Sequence, residues 1–252
     1  GSIYFINKEK NVCGIKNPQG VGLLQFPFVA FWMSSDPSLG YSTGENLAVL
    51  WLAAALLLLT TIFSYRSLRI LGCSRISSVI SISAFIFGSG VFHYSTYDSS
   101  FSHIYSTFGT SVLLWLVIRS GKHGWAFGSF ACFFVFIFWL YLVRQTNGAI
   151  TLFIAIYACA ESDKKNRLPL SLSWIVATAC GTAVQLYYNF YVTGEVRFSS
   201  YGQEKFVALG AYFSDVIFSY ERGLVNYYPI YLFSALLALL YWRNLVTYMF
   251  IV

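Results

Sequence analysis

Only 10% of the 252 residues are charged, so the few side chains able to hold an ion or move a proton stand out. Arg144 opens a short polar turn, Arg144-Gln-Thr-Asn147, between two apolar runs. A guanidinium fixed there offers a planar fork of donors that suits an anionic ligand such as a lipid phosphate. His93, Asp98 and His103 gather around a second polar break, and a third polar stretch carries Tyr201, Glu204, Lys205, Glu221 and Arg222. These are the candidates for a polar site.

Each also has a plainer use. Asp98, Ser99 and Ser100 precede an apolar run and have the side-chain types that cap helix N-termini. His93 and His103 suit a membrane interface. Arg144 could snorkel, laying its stem on apolar surface with its charge in water. Glu221 and Arg222 could be a solvated pair. No phosphate-binding loop, dinucleotide-binding glycine pattern, zinc-protease helix or serine-hydrolase elbow is present. The five cysteines make no C-x-x-C and no metal spacing, so they read as small apolar residues. No cofactor is identified from the spacing, and a divalent metal stays open.

The elements that would carry these residues are apolar. Hydrophobic residues make up 57% of the chain and aromatics 20%, against about 25% charged residues in a typical soluble domain. The runs lack the period-two alternation of barrel strands, so the expected class is all-α: a polytopic transmembrane helical bundle of one domain, residues 1–252. Residues 1–19 read as loop. Gly20–Ser34 is short and interrupted by Pro27, which predicts an interfacial helix, and 35–46 is a turn-rich connector. Together 1–46 form an external segment. Six spans are expected in 47–193: Leu47–Tyr65, Ile76–Phe92, Phe101–Ile118, Trp125–Val143, Ala149–Ala160 and Leu172–Val192. The fifth is short, so its helix is expected to begin near Thr146. After an external loop, 194–226, comes a seventh span, Tyr227–Trp242, with Pro229 in its first turn. An eighth begins at Leu245. Gly1-Ser2 without a Met, and an apolar run still under way at Val252, predict that both ends are cut.

Basic residues set the orientation. Arg66–Arg75, Arg119–His123 and Glu161–Pro169 are basic loops, and Arg243 follows the seventh span. Two spans separate each from the next, which places all four on one side, the cytoplasmic one. Topology thus accounts for the net charge of +6, and nucleic acid is not an expected partner. All the candidate site residues then fall on the opposite side. That position favours a ligand role for Arg144, because the side otherwise disfavours basic residues.

Several segments together resemble a known family. Asn17-Pro-Gln-Gly-Val-Gly-Leu-Leu-Gln-Phe-Pro-Phe28 is similar to the YPIG-x-x-LL-x-x-PF segment of bacterial GT-C-type membrane glycosyltransferases, relatives of the protein mannosyltransferases and aminoarabinose transferases. Tyr97-Asp-Ser-Ser-Phe-Ser-His-Ile-Tyr-Ser-Thr-Phe108 resembles their E-P-S-x-S-H-x-Y-S-F-F segment, and Leu142-Val-Arg-Gln-Thr-Asn147 their L-x-R-P-T-N. Tyr201-Gly-Gln-Glu-Lys-Phe206 is similar to Y-G-x-E-G-F, and Phe218–Ile230 to F-S-x-x-x-G-L-F-x-W-x-P-I/L. The five occur in the family's order over almost the whole chain.

The resemblance implies a GT-C-like fold and an enzyme of the bacterial inner membrane, with its site facing outward. Such an enzyme moves a sugar from a polyprenyl-phosphate-linked donor to a glycan, lipid or protein acceptor. Arg144 would stabilise the departing phosphate, with Lys205 and Arg222 next. His103 and Tyr201 would orient phosphate or sugar hydroxyls, and Asp98, Asn147 and Glu204 would complete the binding site. The family's general base, an Asp in the first external loop, would lie upstream of Gly1, so this stretch alone is expected to be inactive. Gln145 replaces the family's Pro, Lys205 a Gly, and Asp98 a Glu or its neighbour. Two other classes remain. A transporter or flippase would need polar residues at mid-depth, where Gln185 is the main one. An assembly subunit would need small-residue stripes, faintly visible at Gly88 and Gly90.

Overall fold

The computed structural model describes residues 4–7, 12–15, 19–33, 43–196, 217–218 and 228–240. Apart from one antiparallel hairpin, every element described is helical. The hairpin pairs β1 (Tyr4–Asn7) with β2 (Val12–Ile15), Tyr4 opposite Ile15 and Asn7 opposite Val12. This corrects the expectation of loop over residues 1–19. Two short apolar runs flank the polar Lys8-Glu-Lys-Asn11 connection, a hairpin pattern. The helices are α1 (Gly20–Met33), α2 (Thr43–Ile70), α3 (Arg75–Gly88), α4 (Val91–Thr96), α5 (Ser102–His123), α6 (Phe127–Val143), α7 (Asn147–Ala160), α8 (Lys164–Thr193) and α9 (Pro229–Leu240).

Local chemistry explains several ends. Ser74 accepts the Ser77 N–H at 3.1 Å and caps α3. Gly124 and Gly194 end α5 and α8 at φ of 89° and 79°, where a Cβ would be strained. Pro229 is the first residue of α9, where its missing N–H removes no helical bond. Pro27 lies inside α1 instead of ending it, and Pro169 lies inside α8. The loops between helices are therefore shorter than expected. Arg66 and Arg69 lie on α2, Arg119 and Lys122 on α5, and Lys164, Lys165 and Arg167 on the first turns of α8.

Two helices, α2 with 28 residues and α8 with 30, are long and apolar enough to cross a membrane, with mean hydropathies of 2.3 and 1.3 in their best windows. The run Ile76–Phe92 is not one helix. It breaks after Gly88, where Ser89 is extended and its hydroxyl donates to Phe85 O at 2.5 Å. The break has a packing reason. A Cβ on Gly88 would lie 2.9 Å from Ile230, and one on Gly90 3.0 Å from the Tyr228 hydroxyl. Tyr228 and, on α9, Ile230 thus pack on these two glycines.

The core has two parts. One joins α5 to α8 through Leu113, Phe133, Ile137, Leu140, Ala158 and Ala177. The other joins α2, α4, α5 and α6 through Ala53, Leu56, Val91, Ile104, Tyr105 and Val143. Polarity is inverted relative to a water-soluble domain. Thr60, Ser78, Gln185 and Asn189 are buried, while Trp51 and Ile76 are each 73% exposed and Phe127 89%.

The helices run back and forth, so the bundle has two distinct ends. At one, Lys122 Nζ donates to Ile70 O and Trp125 Nε1 to Ser162 Oγ at 2.7 Å, joining the loops after α2, α5 and α7. At the other, the start of α1 meets the end of α6. A Cβ on Gly20 would lie 2.3 Å from Val143 N, so only glycine fits there. Trp139 Nε1 donates to Gly20 O at 3.0 Å.

Candidate functional site

Arg144 sits in this second end. It closes α6 in an extended conformation, φ −163° and ψ 125°, with its N–H still bonded to Leu140 O. The Asn147 N–H donates to Arg144 O at 2.9 Å and starts α7 after a tight turn, as the shortness of the fifth apolar run led one to expect. The extended backbone carries the guanidinium toward the start of α5, where Nη1 lies 3.4 Å from His103 Nδ1. A guanidinium has no acceptor, so Nδ1 accepts and the neutral ring keeps its proton on Nε2. The Tyr94 ring lies against the imidazole at 4.2 Å between centroids, which fixes its plane.

Asn147 is buried beside them, and its Nδ2 donates to Ser106 Oγ at 2.9 Å and to Leu140 O at 3.0 Å. Both amide hydrogens are thus engaged in tying α7 to α5 and α6, and Asn147 holds the turn that aims Arg144. Asp98 is placed otherwise than as a helix cap. The N-cap position of α5 is Phe101, with no side-chain cap bond. Asp98 Oδ2 instead accepts from His93 Nε2 at 2.8 Å, with both side chains about half exposed. His93 also stacks on Tyr97 at 5.5 Å. The reason is local: the Phe101 N–H bonds to Asp98 O, closing a turn that leaves the carboxylate outside the helix start.

From this rim a cleft of about 850 Å³ runs between α2, α3, α5 and α7. Its lining follows α5 from His103 through Thr110 to Ile118, ~22 Å at helical rise. Arg144 and Asn147 stand at one end, and Leu68 and Leu71 at the other. α3 packs on α2 and α4, and α7 on α5, α6 and α8, so these two helices flank the cleft from separate sides. Three of its hydroxyls are engaged by backbone. Thr107 donates to His103 O at 2.9 Å, Ser111 to Thr107 O at 2.8 Å and Ser67 to Phe63 O at 2.9 Å. Back-bonded hydroxyls leave a weakly polar wall, so charge is concentrated at the Arg144 rim. Chemically, the cleft suits a long apolar molecule with an anionic head.

The start of α1 supplies groups that the search for ionic residues passed over. Gln25 Nε2 donates to Tyr105 OH at 2.8 Å, and that hydroxyl reaches Ser99 O at 3.3 Å. Tyr105 is fully buried. The Gln19 side chain has its amide nitrogen and oxygen buried with no partner among the described residues. Both glutamines lie in the Asn17–Phe28 segment, and that resemblance was the signal that could have marked them.

His103, Arg144 and Asn147 are therefore brought together, and Asp98 is held nearby by His93. Tyr201, Glu204, Lys205 and Arg222, with Glu221, lie outside the described residues. Among the described residues no group of three or more His, Cys, Asp and Glu side chains could hold a metal ion. Compared with protein-family models, curated proteins and solved structures, the chain matches none.

Proposed function

We propose that the chain is a multi-pass membrane protein that takes a polyprenyl-phosphate-linked sugar into this cleft and transfers the sugar on the non-cytoplasmic face. The observation that carries the reading is the cleft itself: Arg144 beside His103 at one end, and ~850 Å³ of weakly polar wall along α5 behind them. An isoprenoid phosphate has the same distribution of polarity along its length. The inverted polarity of the helices supports a hydrocarbon surrounding. So does the separation of the Arg-rich end, where α2 and α5 finish, from the Arg144 rim.

Transfer breaks the bond between the anomeric carbon and a phosphate oxygen, and negative charge grows on the departing phosphate. A cation already in place stabilises that charge more than it stabilises the bound donor, which lowers the barrier. Arg144 takes this role. His103, with its proton on Nε2, donates to a phosphate oxygen or sugar hydroxyl, and Asn147 positions Arg144. The resemblance adds Tyr201, Glu204, Lys205 and Arg222 to the binding residues. The acceptor's proton goes to the carboxylate that the GT-C resemblance implies upstream.

The test is sugar transfer from a radiolabelled polyprenyl-phosphate donor, measured in membranes on the protein as its gene encodes it. Arg144→Ala is expected to lower the rate by about 100-fold or more, and Arg144→Lys to recover part of it. Wild-type transfer by Arg144→Ala would end this reading. One observation favours a transporter or flippase instead: Ser64, Thr110 and Ser111 line the cleft at mid-depth. Lipid or solute flux in proteoliposomes, without any transfer of sugar, would select it.

A further inference from the structure

The end of the bundle opposite Arg144 holds a separate cavity of about 430 Å³ between the last turns of α2 and α5, lined by Tyr65, Arg66, Arg69, Trp115, Arg119 and His123. Its cations are not equivalent. Arg69 donates to Cys73 O in the turn after α2, while Lys122, which does not line the cavity, donates to Ile70 O, a carbonyl that α2 leaves unpaired at its end. The Arg119 guanidinium lies over the Trp115 ring, 5.1 Å from its centroid. Arg66 and Arg119 have no carboxylate partner among the described residues. Glu161 packs beside Gly121 of α5.

We propose that this cavity binds the headgroup phosphate of an anionic membrane phospholipid, held between Arg66 and Arg119. Orientation by loop charge needs only a number of basic residues near the membrane surface. It does not require two guanidinium groups from distant parts of the chain to share one cavity, nor one of them to be fixed on an indole. A planar fork matches phosphate oxygens, and basic pockets between helices at this depth suit anionic headgroups. Tyr65 and Trp115 have the amphipathic rings that sit at headgroup level. The outward face of α2 settles the choice between a lipid and a free anion. Going toward the cavity it exposes Trp51, Leu58 and Ile62 and then Arg66, so an apolar track for acyl chains leads directly to the cation. The inference depends on the bilayer reading but not on sugar transfer.

The full chain in neutral detergent, titrated with phosphatidylglycerol or phosphatidylcholine and read by native mass spectrometry, tests it. Wild type is expected to retain phosphatidylglycerol in preference to phosphatidylcholine. Arg66→Gln with Arg119→Gln should weaken that retention by about tenfold. Arg66→Lys with Arg119→Lys should weaken it measurably with charge unchanged, which also covers failure of the neutral pair to fold. Arg75→Gln with Lys164→Gln removes as many charges from the same end, outside the cavity, and should leave retention as in wild type. Equal losses in the two neutral pairs would mean diffuse surface charge and overturn the site. Absence of lipid preference, or displacement of the lipid by millimolar inorganic phosphate alone, would overturn it too. Sugar transfer by the Arg66/Arg119 variants is expected to stay intact, which keeps its failure distinguishable from failure of the glycosyltransferase reading.

Discussion

The two ends of the bundle use arginine in different ways. At the Arg66–Arg119 end, cations are plentiful and exposed, and two of the basic side chains donate to carbonyls at the end of α2 and in the turn after it. At the other end Arg144, the one arginine there among the described residues, stands over a large cleft against His103, with a buried asparagine shaping the turn beneath it. The contrast teaches that the number of charges reports topology, whereas the supports beneath a charge report chemistry. A cation meant only to be wet needs no buried amide to aim it. Arg144 has one.

Mutations can break or sharpen this contrast. The largest effect expected is on activity: Arg144→Ala should lower sugar transfer by about 3 kcal/mol of barrier, while Arg119→Ala leaves turnover near wild type, both read in the radiolabelled-donor assay. Next is stability at the Arg144 end. Gly20→Ala places a methyl against the Val143 and Leu142 backbone, and overpacking of this kind costs roughly 3 kcal/mol, visible as a lowered thermal midpoint in detergent. Asn147→Ala removes bonds to Ser106 and Leu140 and should cost about 2 kcal/mol. Its turnover should fall further than its stability loss explains, since Arg144 loses its aim. Smallest is the opposite end, where Lys122→Ala removes one exposed bond to the α2 terminus. That should cost about 0.5 kcal/mol and shrink further in high salt.

Much of this contrast was legible in the sequence, and the limits were physical. Arg144 and Asn147 were marked by a polar turn between apolar runs, and the helix after them was expected to start early because a stretch from Ala149 was too short. His103 was marked by the polar break it shares with His93 and Asp98. Capping was left as an alternative for Asp98, because it depends on which residue first takes helical dihedrals, and here that residue is Ser102. The hairpin at β1 and β2 was missed since strands of four residues differ little from loop in composition. The break at Ser89 was missed because hydropathy is a local sum, blind to what packs on Gly88 and Gly90.

By itself, the sequence determined the helical class, the order of the apolar runs and which breaks between them gather the basic residues. Those follow from the cost of exposing backbone and charge, and that cost is local to each segment. The tertiary structure alone decided that His103 meets Arg144 across 41 residues, that the cleft follows α5, and that Arg66 and Arg119 share a cavity. Such meetings depend on how each helix is rotated and how closely its neighbour approaches. Those are set by interlocking side chains such as Tyr141 on Gly181 and Leu140 on Gly109. No spacing along one chain segment encodes the rotation of another.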